Sequence, residues 1–469
     1  GETAASAAAV APGAGEETLY RQAGPPGEET GEAPLVAEAA AVASTCDYFW
    51  PPEGTKKREI FHCHTQRLWN GTRTGATLGL LGLLAVVSLI LSWRVDINEF
   101  SMHLFYRNRL IRAYLGASNL KRQPQPFTGF DPGDDVPLAD LSPQRGYDGP
   151  YPIHNATLNL VAGKELAWQE RKGASWVFTP LDTGFDVYAG EGSANLEPHG
   201  YRPTAGYRQT ERGLTLGTAM AISGAAASPN MGEGTTPAMA FLLTVFNVRL
   251  GWWLGNPRHK RSWFRMGPQV GVFALLSELF GHTDEESRYV YLSDGGHFDN
   301  LGLYELIRRR CRLIVLADAG ADAELTFKDV GNSIRKCCTD FGVEIDIDPG
   351  PIRTVAETGS SAWHCAVGTI RYAVDPGAPT GTLIYFKASL TGDEPVDAQA
   401  YKSAHELFPH EPTSDQFFSE SQFESYRKLG EHVAIKVLGA AGDELHPVAL
   451  DKLSDDLREA WKWEPPKKA

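Results

Sequence analysis

Cysteines are few in this sequence, and basic residues are fewer than acidic ones. Its 469 residues include 6 cysteines, which show no disulfide framework, and His62-Cys63-His64 has no second ligand pair at zinc spacing. We therefore predict reduced thiols, as in a cytosolic setting, and neither a metal nor a cofactor. Basic residues are outnumbered, and the formal net charge of −14 argues against a nucleic-acid partner, which would need a basic surface.

Large apolar residues are almost absent from the start of the chain. Residues 1–45 are mainly Ala, Gly, Pro and Glu, and such a composition cannot bury enough surface to offset the entropy lost on ordering. We predict a disordered, low-complexity tail over residues 1–55. It lacks the basic start and the apolar centre of a signal peptide. Because the first residue is Gly rather than Met, we expect the natural chain to begin further upstream.

Charge is missing from one long apolar run, residues 74–93. At about 1.5 Å per helical residue the run matches the roughly 30 Å hydrocarbon layer of a bilayer. It predicts a transmembrane helix within a membrane-anchoring region, residues 56–122, and the alternative is a buried core helix. Lys and Arg flank the run almost equally, so charge does not predict its orientation. Residues 100–115 alternate aromatic and basic side chains, which fits a membrane surface or a domain-capping helix equally well.

The remainder, residues 123–469, has the pattern of a globular α/β domain, in which short β-branched and aromatic runs alternate with helical patterns. We predict strands at residues 153–161, 176–178, 366–372 and 382–390, and closing helices at 417–429 and 450–461. Residues 237–254 are apolar enough for a second membrane helix, but Asn247 and Arg249 favour a core helix near the membrane. Residues 344–348 place three carboxylates on one strand face, which favours an exposed strand over a calcium site.

One segment combines these patterns with a polar turn. It comprises a predicted strand (289–292), Ser293-Asp294-Gly295-Gly296, a predicted helix (300–310), and an apolar run (313–317) typical of a parallel strand covered on both faces. Asp294 thus follows a strand, at the end where open α/β sheets bind ligands. Taken alone, Asp-Gly-Gly favours an ordinary turn slightly over a catalytic carboxylate. His297 and Asp299 could face a cleft, although Asp299 is better placed to cap the helix.

Three motifs precede that turn. They are Tyr151-Pro152-Ile153, Trp176-Val177-Phe178-Thr179-Pro180 and the small-residue stretch Gly217 to Asn230. In this order, and together with Asp294-Gly295-Gly296, they resemble the second half of the patatin-like and cytosolic phospholipase superfamily over residues 94–433. The resemblance is strongest to large bacterial membrane proteins with a patatin-like domain. It implies a patatin-like mixed sheet flanked by helices, preceded by the transmembrane helix and the tail.

The resemblance also implies an active site. Asp294 would be the base of a Ser-Asp dyad, and Gly295 and Gly296 would line the substrate site. The superfamily's nucleophile elbow, Gly-x-Ser-x-Gly, is absent from this sequence, as is its glycine-rich oxyanion loop. Ser223 comes closest, but it lacks the first Gly of an elbow and also fits a helix-start or packing role. We therefore expect the nucleophile to lie upstream of residue 1, in a half of the same protein that completes the active site.

These observations predict a membrane-anchored serine acyl hydrolase that acts on phospholipids or other lipid esters. Its partners would be membrane lipids and the lipid ester substrate, and this chain alone would be inactive. The globular domain would face the cytoplasm at a bacterial inner membrane. The alternative is a catalytically silent, membrane-associated module that keeps a patatin-like fold for lipid binding or assembly.

Overall fold

The structure is a computed structural model. It describes residues 74–163, 170–187, 196–207, 213–355, 359–373, 380–412, 415, 417–439 and 450–462, together with residues 58, 61–63 and 65. The tail predicted over residues 1–55 lies outside the described residues. By its internal contacts the chain forms two units, residues 1–85 and 86–469.

Helices and strands alternate along the described part of the chain. The helices are α1 (Thr74–Arg94), α2 (Met102–Leu110), α3 (Leu216–Ser223), α4 (Pro237–Val245), α5 (Gly271–Phe280), α6 (Leu303–Arg308), α7 (Lys328–Phe341), α8 (Val396–Ala404), α9 (Glu420–Gly439) and α10 (Leu450–Ala460). The strands are β1 (His154–Asn159), β2 (Gly173–Phe178), β3 (Asp182–Phe185), β4 (Tyr201–Pro203), β5 (Trp252–Gly255), β6 (Tyr289–Asp294), β7 (Leu313–Asp318), β8 (Glu344–Asp346), β9 (Thr354–Val355), β10 (Ser360–Ser361), β11 (Cys365–Arg371) and β12 (Thr380–Lys387).

Helix α1 coincides with the long uncharged run of the sequence. Its segment Gly75–Arg94 has a mean hydropathy of 2.2, and none of it is buried. By length and composition it is the one helix among the described residues that could cross a membrane, a test that the core helix of a soluble protein also passes. The second apolar segment does not form one long helix. It is divided between α4 and the buried strand β5, so a second span is excluded for those residues.

One sheet contains six of the described strands, in the order β4-β3-β2-β1-β6-β5, and neighbouring strands are antiparallel. Its core includes Leu158, Trp176 and Leu292, all fully buried. Helix α3 packs on this core through Ala219 and Ile222. The pairing places Asp294, the last residue of β6, opposite Ala156 of β1.

A second sheet has the order β7-β12-β11-β8, with β7 and β12 parallel. Strand β12 separates two cores, because alternate side chains point to opposite faces of a strand. Leu383 and Tyr385 pack on the α7 side, whereas Ile384 and Phe386 pack on the α9 side. This layered arrangement confirms the predicted α/β class at the level of a mixed α/β fold.

Two expectations for the segment around Asp294 were wrong in detail. Strand β7 is parallel, as predicted, but it is not covered on both faces among the described residues, since Val315 is 45% exposed. The predicted helix at residues 300–310 is shorter, because Gly302 adopts a left-handed conformation with φ of 68° and the helix α6 begins after it. Strands β6 and β7 also belong to different sheets.

The cysteines divide into two groups. Those of the globular part are free, namely Cys311, Cys337, Cys338 and Cys365. Cys63 is disulfide-bonded, and its partner lies outside the described residues. The prediction of reduced thiols was therefore wrong for Cys63, because the six cysteines show no spacing framework that would have indicated the bond.

Candidate active site

The Asp294 turn begins at the carboxyl end of β6. Thr157 of β1 donates a hydrogen bond from Oγ1 to the Asp294 carbonyl oxygen, 2.7 Å away, and fixes the end of the strand. The chain then makes a single 3₁₀ turn, Gly295–His297. A Cβ atom at Gly295 would lie 2.7 Å from the carbonyl oxygen of Asn155. A side chain at position 295 would therefore force the turn or the backbone of β1 to shift, which favours glycine there.

The Asp294 carboxylate is half-buried and has one polar partner among the described residues, the backbone N–H of Gly296 at 2.7 Å from Oδ1. Within the same residues no Lys, Arg or His forms an ion pair with it. Burial raises the pKa of Asp294 to about 6, against the opposing effect of the Gly296 hydrogen bond. Such a carboxylate is ionised at neutral pH but holds a proton far more readily than an exposed aspartate, which suits a general base.

The C-terminal end of α3 lies beside this turn. The Asp294 N–H donates to the carbonyl oxygen of Ala225 at 3.4 Å. Tyr106 of α2 borders the same place, since a Cβ atom at Gly224 would lie 2.4 Å from the Tyr106 hydroxyl oxygen. Burial raises the pKa of Tyr106, and the negative charge of Asp294 raises it further. Sequence reasoning missed Tyr106, because the alternating pattern of residues 100–115 says nothing about which tyrosine faces the turn.

Ser223 is the last residue of α3 and is half-buried. Among the described residues, no hydrogen bond joins its hydroxyl to Asp294. Its place at a helix C-terminus also differs from an elbow at the start of a helix, because the free groups there are carbonyls with partial negative charge. Such groups would repel a developing oxyanion rather than bind it. Ser223 as nucleophile stays a prediction, and its surroundings supply none of the donors that this role needs.

Gly296 and Gly295 differ in their access to solvent. Gly296 is exposed, whereas Gly295 is buried against β1. A substrate can therefore approach the carboxylate over the backbone of Gly296, with the Asn300 side chain alongside. The substrate-binding role predicted for the two glycines stays a prediction, and the geometry favours Gly296 over Gly295.

The two other polar residues of the turn have structural partners. His297 Nδ1 is 2.8 Å from the hydroxyl of Ser293, which also accepts a hydrogen bond from Asn159. Burial lowers the pKa of His297 to about 4, so the ring is neutral at pH 7. Asp299 accepts hydrogen bonds from the N–H groups of Leu301 and Tyr304. It therefore supports the entry to α6, as predicted.

The predicted carboxylate face of β8 is exposed to solvent. Glu344 and Asp346 are exposed, and both lie near the guanidinium of Arg371, at 3.8 Å and 3.4 Å. This is the exposed strand face that the sequence favoured over a calcium site.

A cavity of about 330 Å³ also lies away from the turn, near Tyr289 at the opposite end of β6.

Comparisons with known proteins give one distant similarity. No protein-family model matches the chain, and a search of curated proteins finds no significant match. Among solved structures the chain is similar to human GIVD cytosolic phospholipase A2, with 14% sequence identity and a TM-score of 0.41. The match covers 80% of this chain and 54% of that chain, so the chain spans about half the length of its structural neighbour. At this identity and score, nothing about activity follows.

Proposed function

We propose that this chain is part of a membrane-anchored serine acyl hydrolase that cleaves phospholipids or other lipid esters through a Ser-Asp dyad. The observation that carries the proposal is the Asp294 carboxylate. It is half-buried, ends a strand beside an exposed glycine, has a pKa of about 6 and has no cationic partner among the described residues. A carboxylate in a purely structural role is usually neutralised by a cation or by several hydrogen bonds.

The proposed reaction has two steps. The serine hydroxyl attacks the ester carbonyl and passes its proton to Asp294, which then protonates the leaving alcohol as the C–O bond breaks. Water attacks the resulting acyl-enzyme, Asp294 takes a proton from it, and the proton returns to the serine as the fatty acid leaves. The nucleophile and the oxyanion donors are proposed to lie upstream of residue 1, in keeping with the unsuitable surroundings of Ser223.

Two features of the described residues support contact with a membrane. Helix α1 is long and apolar enough to span a bilayer. Helices α4 and α5 pack against each other and expose large apolar side chains, among them Phe241 (53%) and Phe273 (64%). The one charged residue in these two helices, Glu278, is buried and paired with Arg249 at 3.0 Å. This uncharged surface suits the acyl boundary of a membrane better than water.

Fluorophosphonate labelling of the protein expressed from its complete reading frame, in native membranes, tests the proposal. We expect one serine to be labelled, outside residue 223, and Ser223→Ala to leave the labelling intact. Asp294→Asn should slow labelling strongly. The control Asp322→Asn, which alters a carboxylate in the loop after β7, should leave labelling unchanged. Unchanged labelling of Asp294→Asn would rule out the dyad.

The second candidate is a catalytically silent lipid-binding or assembly module. It is favoured by one observation, the absence of Gly-x-Ser-x-Gly from this sequence. Complete absence of labelling in the wild-type protein, with the fold verified by circular dichroism, would favour this module over the hydrolase.

We also propose that the globular part faces the cytoplasm. Four of its cysteines are free, as expected in a reducing compartment, and Cys338 is exposed. A membrane-impermeant maleimide should label Cys338 in inside-out vesicles and not in intact cells, with Cys338→Ser as the control for specificity. Labelling in intact cells would reverse the proposed orientation.

A further inference from the structure

A second polar cluster lies away from the Asp294 turn. It joins His364, which directly precedes β11, to the loop Thr391–Glu394 and to His432 on α9. One ligand atom each from His364, Asp393 and His432 lies within 4.8 Å of the others. His364 is almost fully buried, and its ring centroid is 5.4 Å from that of His432. This cluster was not predicted from the sequence, because its members come from three separate segments.

The atoms of the cluster converge on one hydroxyl group. Thr391 Oγ1 is 3.0 Å from His364 Nε2, 2.6 Å from Asp393 Oδ1 and 3.5 Å from Glu394 Oε1. The hydroxyl has a single proton. It donates this proton in a hydrogen bond to Asp393 Oδ1, which is the closest of the three acceptors and is charged. His432 Nε2 approaches the same Asp393 oxygen at 3.2 Å. Two imidazoles and two carboxylates thus surround the Thr391 hydroxyl, which would have to turn aside for an ion to bind between them.

The outer nitrogen of His364 has a partner of the kind found behind metal ligands. His364 Nδ1 is 3.3 Å from the Ser389 hydroxyl, which in turn donates to the carbonyl oxygen of Lys387 at 3.2 Å. With the hydroxyl proton engaged there, Ser389 can accept from Nδ1–H, which is the tautomer that a metal bound at Nε2 requires.

The carboxylates are held in place as well. Glu394 is buried, and its two oxygens accept backbone hydrogen bonds from Thr391 and Gly392. Its Oε1 is 4.0 Å from His364 Nε2. Lys436 pairs with the second oxygen of Asp393 and leaves the first oxygen directed at the histidines. The acidic groups at the cluster are Asp393 and Glu394, and the basic side chain beside them is Lys436.

We propose that His364, His432 and Asp393 bind a divalent transition metal, with Zn²⁺ as the expected ion and Glu394 within reach as a fourth ligand. Two imidazole nitrogens and carboxylate oxygens suit Zn²⁺, which prefers four ligands at about 2.0–2.2 Å. The ligand atoms of such a tetrahedral shell lie about 3.3–3.6 Å apart. The 3.2 Å between His432 Nε2 and Asp393 Oδ1 is already close to that value, and the 4.0 Å between His364 Nε2 and Glu394 Oε1 needs a small shortening. The ion would fasten α9 to the loop that follows β12, so its role is structural.

The test is zinc stoichiometry of the full-length protein in detergent. The background has His62→Ala and His64→Ala, which removes the other His-rich motif. After chelator treatment, reloading with Zn²⁺ and desalting, we expect this background protein to retain about one Zn²⁺ per chain, measured by mass spectrometry of the metal. His364→Ala and His432→Gln should each lose it, whereas His405→Gln, a histidine of the same domain outside the cluster, should keep it.

Two further measurements separate the possible outcomes. Co²⁺ in place of Zn²⁺ should give the visible absorption of a tetrahedral site, and His432→Gln should abolish that absorption while circular dichroism shows an intact fold. Mg²⁺ in excess should not displace the bound ion. Zinc binding that is absent in the background protein, or unchanged in both cluster variants, would overturn the proposal. None of these readouts depends on hydrolase activity.

Discussion

Two aspartates of this protein stand in nearly the same local setting and have opposite surroundings. Asp294 ends β6 and Asp318 ends β7, and each accepts a hydrogen bond from the N–H of a glycine two residues later. Asp318 is buried and paired with Lys387 at 3.0 Å, and it also accepts from the Tyr385 hydroxyl at 2.7 Å. Asp294 has no such partner among the described residues. Neutralisation marks Asp318 as structural and leaves Asp294 available for chemistry.

The largest effect expected from this contrast is on catalysis. Asp294→Asn should lower hydrolysis of a phospholipid ester by the full-length protein about 10²–10⁴-fold, the usual contribution of a general base. The double variant Asp318→Asn with Lys387→Met removes the other carboxylate together with its partner, and should retain activity per folded molecule. The measurement is fatty-acid release normalised to folded protein. Equal loss of activity in the Asp294 variant and the double variant would show that Asp294 and Asp318 do not differ in their importance for hydrolysis.

The second effect is on stability. Lys387→Met leaves the buried Asp318 charge unpaired, and should lower the free energy of unfolding by about 3–5 kcal/mol. Addition of Asp318→Asn should recover most of that loss, because the uncompensated charge disappears. Urea denaturation at pH 7 of the wild type, the two single variants and the double variant measures the coupling. A single variant as stable as the wild type would show that the pair contributes nothing.

A smaller effect is expected at the glycines of the two turns. Gly295→Ala places a Cβ atom 2.7 Å from the backbone oxygen of Asn155 and should cost about 1–3 kcal/mol. In Gly320→Ala the new Cβ atom meets the Asp318 side chain at 3.1 Å, which can shift slightly. We expect Gly320→Ala to cost less than Gly295→Ala in thermal unfolding, and the reverse order would contradict the tight packing of the first turn.

The smallest effect is the pH dependence of stability at Asp294. Its pKa is about 6 in the folded protein against 3.8 ordinarily, so the free energy of unfolding falls as the pH rises from about 4 to about 6, and the full cost of ionisation is present above that range. Asp294→Asn avoids this cost and should be more stable than the wild type by about 1–2 kcal/mol at pH 8, after a discount for partial exposure. Below about pH 4 the difference should vanish. Denaturant titrations at both pH values measure it, and an Asn variant that is less stable at pH 8 would refute the raised pKa.

Local patterns predicted most elements near the site. The run at Tyr289–Leu292 is a strand, and the apolar run at Leu313–Ala317 is a parallel strand, because β-branched and apolar runs of that length have few alternatives. The same reasoning failed at α6, where the left-handed Gly302 delays the helix. It also predicted burial of both faces of β7, because the sequence pattern of a strand does not show which element packs on each face.

The partners of the site were beyond sequence reasoning. Tyr106 reaches the Asp294 turn from α2, and the carbonyl of Ala225 reaches it from the end of α3. These contacts join segments that are far apart in the chain, and neither residue type is unusual where it stands. The zinc-site residues proposed above escaped notice for the same reason.

The sequence by itself determined the long apolar helix and the Asp-Gly-Gly turn at the end of a strand. Both depend on neighbouring residues, through an uninterrupted run without charge and through the freedom of glycine at a turn. Only the tertiary structure decided which strand-ending aspartate is neutralised. Lys387 lies 69 residues from Asp318 and meets it because β12 runs parallel to β7, whereas the antiparallel neighbours of β6 bring no described cation to Asp294.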